Sequence, residues 1–143
     1  MKLNTYLHFN DGKCRQAFEL YARVLNGKIE NAMTYGQMPM DKPAPDNLKD
    51  KVAHARLVIG DQVLMGSDSP PEHAQPLSGF SVNIGTDDPK EADRIYKALS
   101  EGGEIRMAIQ ETFWAHRFGM FVDRFGTPWM VNCEKRQSMG KAA

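Results

Sequence analysis

The stretch TFWAHRFGMFVDRFGTPWMVNCE, residues 112–134, decides the fold. Two apolar runs flank Asp123-Arg124-Phe125-Gly126, a tight-turn signal, so the segment reads as strand, turn, strand. Successive side chains of a strand point to opposite faces. Trp129, Val131 and Cys133 therefore share one face, and Met130, Asn132 and Glu134 share the other. The first face reads as core and the second as the wall of a pocket.

Working outward, Asp88-Pro89-Lys90-Glu91 is a helix start: Asp88 caps, Pro89 fits the first helical position and Glu91 completes a capping box. Ala92, Ile95, Tyr96 and Leu99 form the apolar stripe of that helix, and Gly102-Gly103 ends it. Strands are predicted at residues 79–85, 104–109, 118–122 and 127–134, giving the order β-α-β-β-β.

The first half repeats this order. A strand at 3–9 is followed by a helix over 13–26, with Cys14, Ala17, Phe18, Tyr21, Ala22 and Leu25 at helical spacing and Gly27 as its stop. Strands follow at 28–35, 53–59 and 62–65, the last two joined across Gly60-Asp61. The segment 39–50 holds three prolines and reads as loop. The halves also correspond in detail: Tyr21 to Leu25 with Gly27 and Ile29 matches Tyr96 to Leu99 with Gly103 and Ile105, and Gly60 to Met65 resembles Gly126 to Val131. A unit of this kind leaves one sheet face uncovered, so internal duplication is a statement about the fold.

With 143 residues, 41% hydrophobic and 25% charged, the chain has the size and composition of a single globular domain. Eighteen basic residues balance eighteen acidic ones, which disfavours nucleic acid as a partner. No apolar run has the length of a membrane span and the start lacks signal-peptide features, so a cytoplasmic protein with no membrane partner is expected. Cys14 and Cys133 show no metal or redox spacing and read as buried, reduced thiols. The polar tail 136–143 reads as frayed.

Three segments carry a family resemblance: Tyr6-Leu7-His8-Phe9-Asn10; His54-Ala55-Arg56-Leu57-Val58-Ile59-Gly60 followed by Leu64-Met65-Gly66-Ser67-Asp68; and Thr112-Phe113-Trp114 through Asn132-Cys133-Glu134. The chain resembles the vicinal oxygen chelate superfamily of glyoxalases, bleomycin-resistance proteins and extradiol dioxygenases, and within it the PhnB-like branch. The resemblance implies an α+β fold in which two βαβββ modules, about 1–68 and 78–135, form cupped mixed-sheet half-barrels in one glyoxalase-like domain. It also implies a ligand cavity enclosed by two modules, from one chain or two, and a homodimer. Some members of the branch carry the label of demethylubiquinone methyltransferases. This chain has no glycine-rich strand-to-helix loop of the type that cradles a nucleotide-like cofactor.

In metal-using members the ligands lie on the inner face of the first and last strands of each module. By parity the inward positions here are Tyr6 and His8, Ser81 and Asn83, and, on the last strands, Leu64 and Met130. Leu64 and Met130 do not ligate a hard divalent ion, so no metal and no cofactor are expected. The alternative set is His8, His54 and Glu134. An inward His8 serves as general base or anion ligand, or simply hydrogen-bonds within the wall. His54 and Arg56 either face the pocket or end a strand. Arg56 and Arg117 suit a carboxylate or phosphonate. Trp114, Phe118, Met120, Trp129 and Met130 offer apolar wall, with Trp129 assigned to the core.

The expected ligand-binding set is therefore Tyr6, His8, His54, Arg56, Ser81, Asn83, Trp114, Phe118, Met130 and Asn132, with no catalytic residue assigned. The resemblance implies a small-molecule binding protein or enzyme with a metal-free cavity. The alternatives are a divalent-metal-dependent lyase, isomerase or dioxygenase of the same superfamily, and a non-catalytic dimeric structural or partner protein.

Overall fold

The chain divides after Leu77 into two units that carry the same order of elements. The structure, a computed structural model, describes residues 1–39 and 41–135, so the frayed tail expected at 136–143 lies outside the described residues.

Unit 1 consists of β1 (Thr5–Phe9), α1 (Cys14–Val24), β2 (Lys28–Thr34), β3 (Val52–Ile59) and β4 (Gln62–Asp68). Its sheet has the order β1-β4-β3-β2, with β1 and β4 parallel and the other pairs antiparallel. The stripe of α1 is buried against one sheet face: Cys14, Ala17, Phe18 and Tyr21 meet Leu7, Phe9 and Leu57, all at most 1% exposed. Phe18 sets its edge to the Phe9 ring at 5.9 Å. Removing this apolar surface from water is the dominant stabilising effect.

Unit 2 consists of β5 (Val82–Gly85), α2 (Pro89–Ser100), β6 (Glu104–Gln110), β7 (Ala115–Val122) and β8 (Pro128–Glu134), in the order β5-β8-β7-β6 with β5 and β8 parallel. Here Ala92, Ile95 and Leu99 of α2 are buried, as are Trp129, Val131 and Cys133 on β8. Tyr96 meets Phe121 edge-on at 5.4 Å.

Several expected boundaries move, each for a local reason. The first strand begins at Thr5 rather than residue 3, because Thr5, opposite Leu64, is the first residue on it that β4 pairs. The fifth begins at Val82 rather than 79, since Gly79 has φ of +81° and leaves the extended region. β4 runs three residues beyond the expected end at Met65, because β1 continues to pair with it as far as Asp68. Asn26, with φ of +56°, is the left-handed stop of α1. Gly27 follows it because a Cβ there would lie 2.8 Å from Ile59 and 2.9 Å from the Val58 carbonyl.

The capping box expected on α2 is only half formed. Asp88 Oδ1 accepts the Lys90 N–H at 2.9 Å. The Glu91 side chain instead pairs with Arg94, and the Asp88 N–H donates to Thr86 Oγ1 at 3.2 Å. A bidentate guanidinium is a stronger partner for a carboxylate than a backbone amide. α1 has no side-chain cap of its own at Lys13. Its first N–H, from Cys14, donates across the unit to Asp68 Oδ1 at 2.9 Å.

Candidate functional site

The face of the unit 1 sheet away from α1 follows from the register. Tyr6 lies beside Met65 and His8 beside Ser67, while Arg56 lies opposite Met65. The same pairing sets Leu64 opposite Leu57 and beside Thr5, on the helix side, where it is buried. The inward assignment of Leu64 is thus corrected to Met65. The two last strands stand in different phase to the glycines of their turns. Gly60 opens the turn Gly60-Asp61, whereas Gly126 is late in the turn spanning 123–127, so equal counts end on opposite faces. In unit 2, Met130 pairs with both Asn83 and Met120, away from α2, as expected.

Tyr6, His8 and His54 come together on this face of unit 1. The Tyr6 hydroxyl lies 3.2 Å from His54 Nδ1, and the Tyr6 ring centroid lies 5.0 Å from that of His8 and 5.7 Å from that of His54. The rings form one continuous strip across β1 and β3 with hydrogen-bonding groups at its centre. Arg56, on the same face, pairs with Glu30 at 3.2 Å. Arg117 points the other way, to Asp93 of α2 at 2.6 Å, which removes it from any pocket wall.

His8 also lines an open cleft of about 450 Å³, together with Tyr35, the segment Ser67 to Pro70, His73 and the segment Gln75 to Leu77. Asp68, 1% exposed, closes its floor. Both of its carboxylate oxygens accept backbone N–H groups, from Cys14 at 2.9 Å and Val52 at 2.8 Å. Tyr35 donates its hydroxyl to the Asp68 carbonyl at 2.7 Å, and burial followed by the Asp68 charge raises its pKa, keeping the phenol neutral. The loop wall is tied back by the Asn10 amide, which donates to the Gln75 carbonyl at 3.0 Å. Ser67, Tyr35 and His73 were not singled out from the sequence. The signal for Ser67 was the strand alternation past Gly66. His73 sits in a proline-rich connection that carries no periodicity.

In unit 2, Asn83 and Asn132 line a second open cleft, of about 260 Å³, with Gly85, Thr86, Asp87 and Glu134. Asn132 Nδ2 donates to Glu134 Oε1 at 3.1 Å, while its Oδ1 is buried without a hydrogen-bond partner. Phe118 lies opposite Asn132 on β7, and Trp114 sets its ring against Phe118 at 5.2 Å. Trp114 in turn carries the exposed Phe113 at 4.9 Å. Ser81 is half-buried just before β5 and lines neither cleft. Trp129 is core, its Nε1–H donating to the buried Asp123 at 2.8 Å.

Both thiols are buried. Cys14 lies at the start of α1, where burial, then the Asp68 charge, pushes its pKa far above the ordinary thiol range. Cys133 is raised by burial, then by the acidic side chains Asp87, Asp88 and Asp93. Neither can supply a thiolate nucleophile.

A divalent-metal centre of the superfamily's kind does not fit either unit. The inward residues midway along the last strands are the thioethers Met65 and Met130, which are poor ligands for hard ions. Among the described residues, no three His, Cys, Asp or Glu side chains are grouped to hold a metal. No helix among the described residues is long and apolar enough to cross a membrane.

The same architecture recurs in known proteins. A family described as 3-demethylubiquinone-9 3-methyltransferase matches residues 1–132. Protein YjdN of Escherichia coli strain K12 is 36% identical over 147 aligned positions, covering 96% of this chain and 98% of that one. The crystal structure of protein PA1353 from Pseudomonas aeruginosa is 45% identical, with a TM-score of 0.84 over 94% of this chain and 98% of that one. At 12% identity a glyoxylase/bleomycin resistance protein/dioxygenase domain from Frankia sp. EAN1pec shares the fold, with a TM-score of 0.63 over 94% of this chain and 98% of that one. Two open, mixed four-stranded sheets with one helix each, in the order β-α-β-β-β, thus form a glyoxalase-like α+β fold, and the chain is a member of the family described as 3-demethylubiquinone-9 3-methyltransferase.

Proposed function

We propose that this chain is a cytoplasmic, homodimeric small-molecule binding protein of the glyoxalase and bleomycin-resistance type, working without a metal, with its two units as modules of one domain. The observation that carries this reading is the strip on unit 1: the Tyr6 hydroxyl against His54 Nδ1, with the His8 ring beside it, on the sheet face that α1 leaves uncovered. Ligand sites combine apolar surface with a few placed polar groups. Tyr6, His8, His54 and Arg56 supply the polar groups of unit 1. On unit 2, Asn83, Asn132 and Ser81 supply them, with Trp114, Phe118 and Met130 as the apolar surface.

Methyl transfer, the activity in the family's description, finds no support in the connections. The loop from β1 to α1 is Asn10-Asp11-Gly12-Lys13, and that from β5 to α2 is Thr86-Asp87-Asp88. Neither is the glycine-rich turn that a nucleotide-like cofactor needs.

A thermal-shift screen of metabolites on wild type, His8→Ala and Tyr6→Phe tests the reading. Hits are expected to lose at least half their shift in both variants, and hits that persist unchanged in both would remove this strip from the site. Elemental analysis of protein produced with zinc, nickel, manganese and iron available separates the metal-dependent alternative. A stoichiometric metal lost on His8→Ala or Glu134→Ala would establish that alternative instead.

A further inference from the structure

The two clefts occupy matching places in the duplicated units. Each lies where a parallel strand pair ends: His8 beside Ser67 on β1 and β4, Gly85 beside Asn132 on β5 and β8. The side chains there differ in chemistry. Unit 2 presents the carboxylates of Asp87 and Glu134, whereas unit 1 presents the imidazoles of His8 and His73 and the hydroxyls of Ser67 and Ser69.

We propose that the unit 1 cleft binds small organic oxyanions, holding the head group with His8, His73, Ser67 and Ser69 and laying an apolar body on Pro70 and Leu77. The proposal deepens the reading of His8 given above and rests on it. Its groups are donors with no competing anion. The titratable side chains around His8 are Tyr6 on its own strand, His54 on the far side of Tyr6, and Tyr35, Asp68 and His73 around the cleft. Asp68 is sealed by two backbone N–H groups, and the Tyr35 hydroxyl is spent on the Asp68 carbonyl. A cation entering this cleft therefore meets no free carboxylate, while an anion meets the ring N–H donors of two imidazoles and the hydroxyls of two serines.

The cleft is also prepared for a ligand. His8 and His73 are both exposed, and His73 is held in the 3-10 turn Pro71–His73 between Pro70 and Pro76, which restricts the backbone before binding. A volume of about 450 Å³ exceeds what an inorganic ion fills and leaves room for an organic body.

Benzenesulfonate is a suitable probe, because it joins a fixed negative charge to an apolar ring. Calorimetric titration of the full chain should show saturable benzenesulfonate binding. It should weaken roughly tenfold in the His8→Asn/His73→Asn double variant, whose substitutions are on exposed positions and leave the core intact. The neutral isostere benzenesulfonamide should not compete, and inorganic phosphate should bind more weakly than benzenesulfonate. Glu134→Gln, in the unit 2 cleft, should leave the affinity unchanged. No benzenesulfonate binding, binding indifferent to the double variant, or equal binding of benzenesulfonamide would overturn the proposal. The Tyr6→Phe arm of the metabolite screen, read separately, shows whether the wider site falls with it.

Discussion

Units 1 and 2 repeat one architecture, yet each spends a buried aspartate differently. In unit 2, Asp123 closes a single turn: its carboxylate accepts the N–H groups of Phe125 and Thr127 and the Trp129 indole, all within six residues. In unit 1, Asp68 joins distant parts of the chain, Cys14 at the start of α1 and Val52 at the start of β3. One carboxylate shapes a hairpin and the other fastens a helix and a strand to the floor of a cleft. The repeat therefore preserves the sheet and helix, while the polar anchors and cleft chemistry belong to each unit separately.

The largest expected effect separates these two anchors. Asp123→Ala removes the acceptor of a buried indole N–H and of two backbone N–H groups and should cost about 4 kcal/mol in denaturant unfolding, against about 3 kcal/mol for Asp68→Ala, which removes the acceptor of two. The reverse order would mean that the long-range tie matters more than the number of bonds. A middle-sized effect concerns the thiols. Because burial raises both Cys14 and Cys133, an aromatic disulfide reagent at about pH 8 should label neither in the native protein and both after denaturation. Rapid native labelling of either one would place a local opening in that unit.

The smallest effect lies on α2, whose ion pair has no counterpart on α1. The Arg94 hydrogen bond, then its charge, holds the Glu91 carboxyl below its ordinary value of 4.5. A lowered folded-state pKa gives stability that is present above the unfolded value and lost as pH falls through the folded one. The pair is close to half exposed, so solvent screening limits its contribution to a few tenths of a kcal/mol. Glu91→Gln should lower stability by that amount at about pH 7 and by nothing measurable at about pH 2. An equal loss at both would assign the effect to helix propensity.

The duplication was legible because it rests on periodicity. Tyr21 and Tyr96 on their helices, and the alternation of Trp129 to Cys133, follow from burial on one face, which sequence records directly. Strand parity gave Tyr6, His8, Asn83 and Met130 for the same reason. It failed at Leu64, because parity carried through a turn depends on the length of that turn, and the two hairpins differ. The Asp68 and Asp123 anchors were hidden, since a buried aspartate and a turn aspartate look alike in one sequence. The wall formed by Ser69 to Leu77 was hidden too, because prolines fix local angles without saying which strand the segment returns to; there the answer depends on the Asn10 amide and the Phe9 carbonyl, far away in the chain.

Ser67 and Asp68 are neighbours with their backs to one another, the first buried at the wall of the cleft and the second locked to two amides. The wall of the cleft and the anchor of the fold are thus adjacent letters of the sequence. If the cleft binds as proposed, exchanging the exposed His8 or His73 would redirect what it accepts at little cost to the scaffold, while the aspartate beside them stands still.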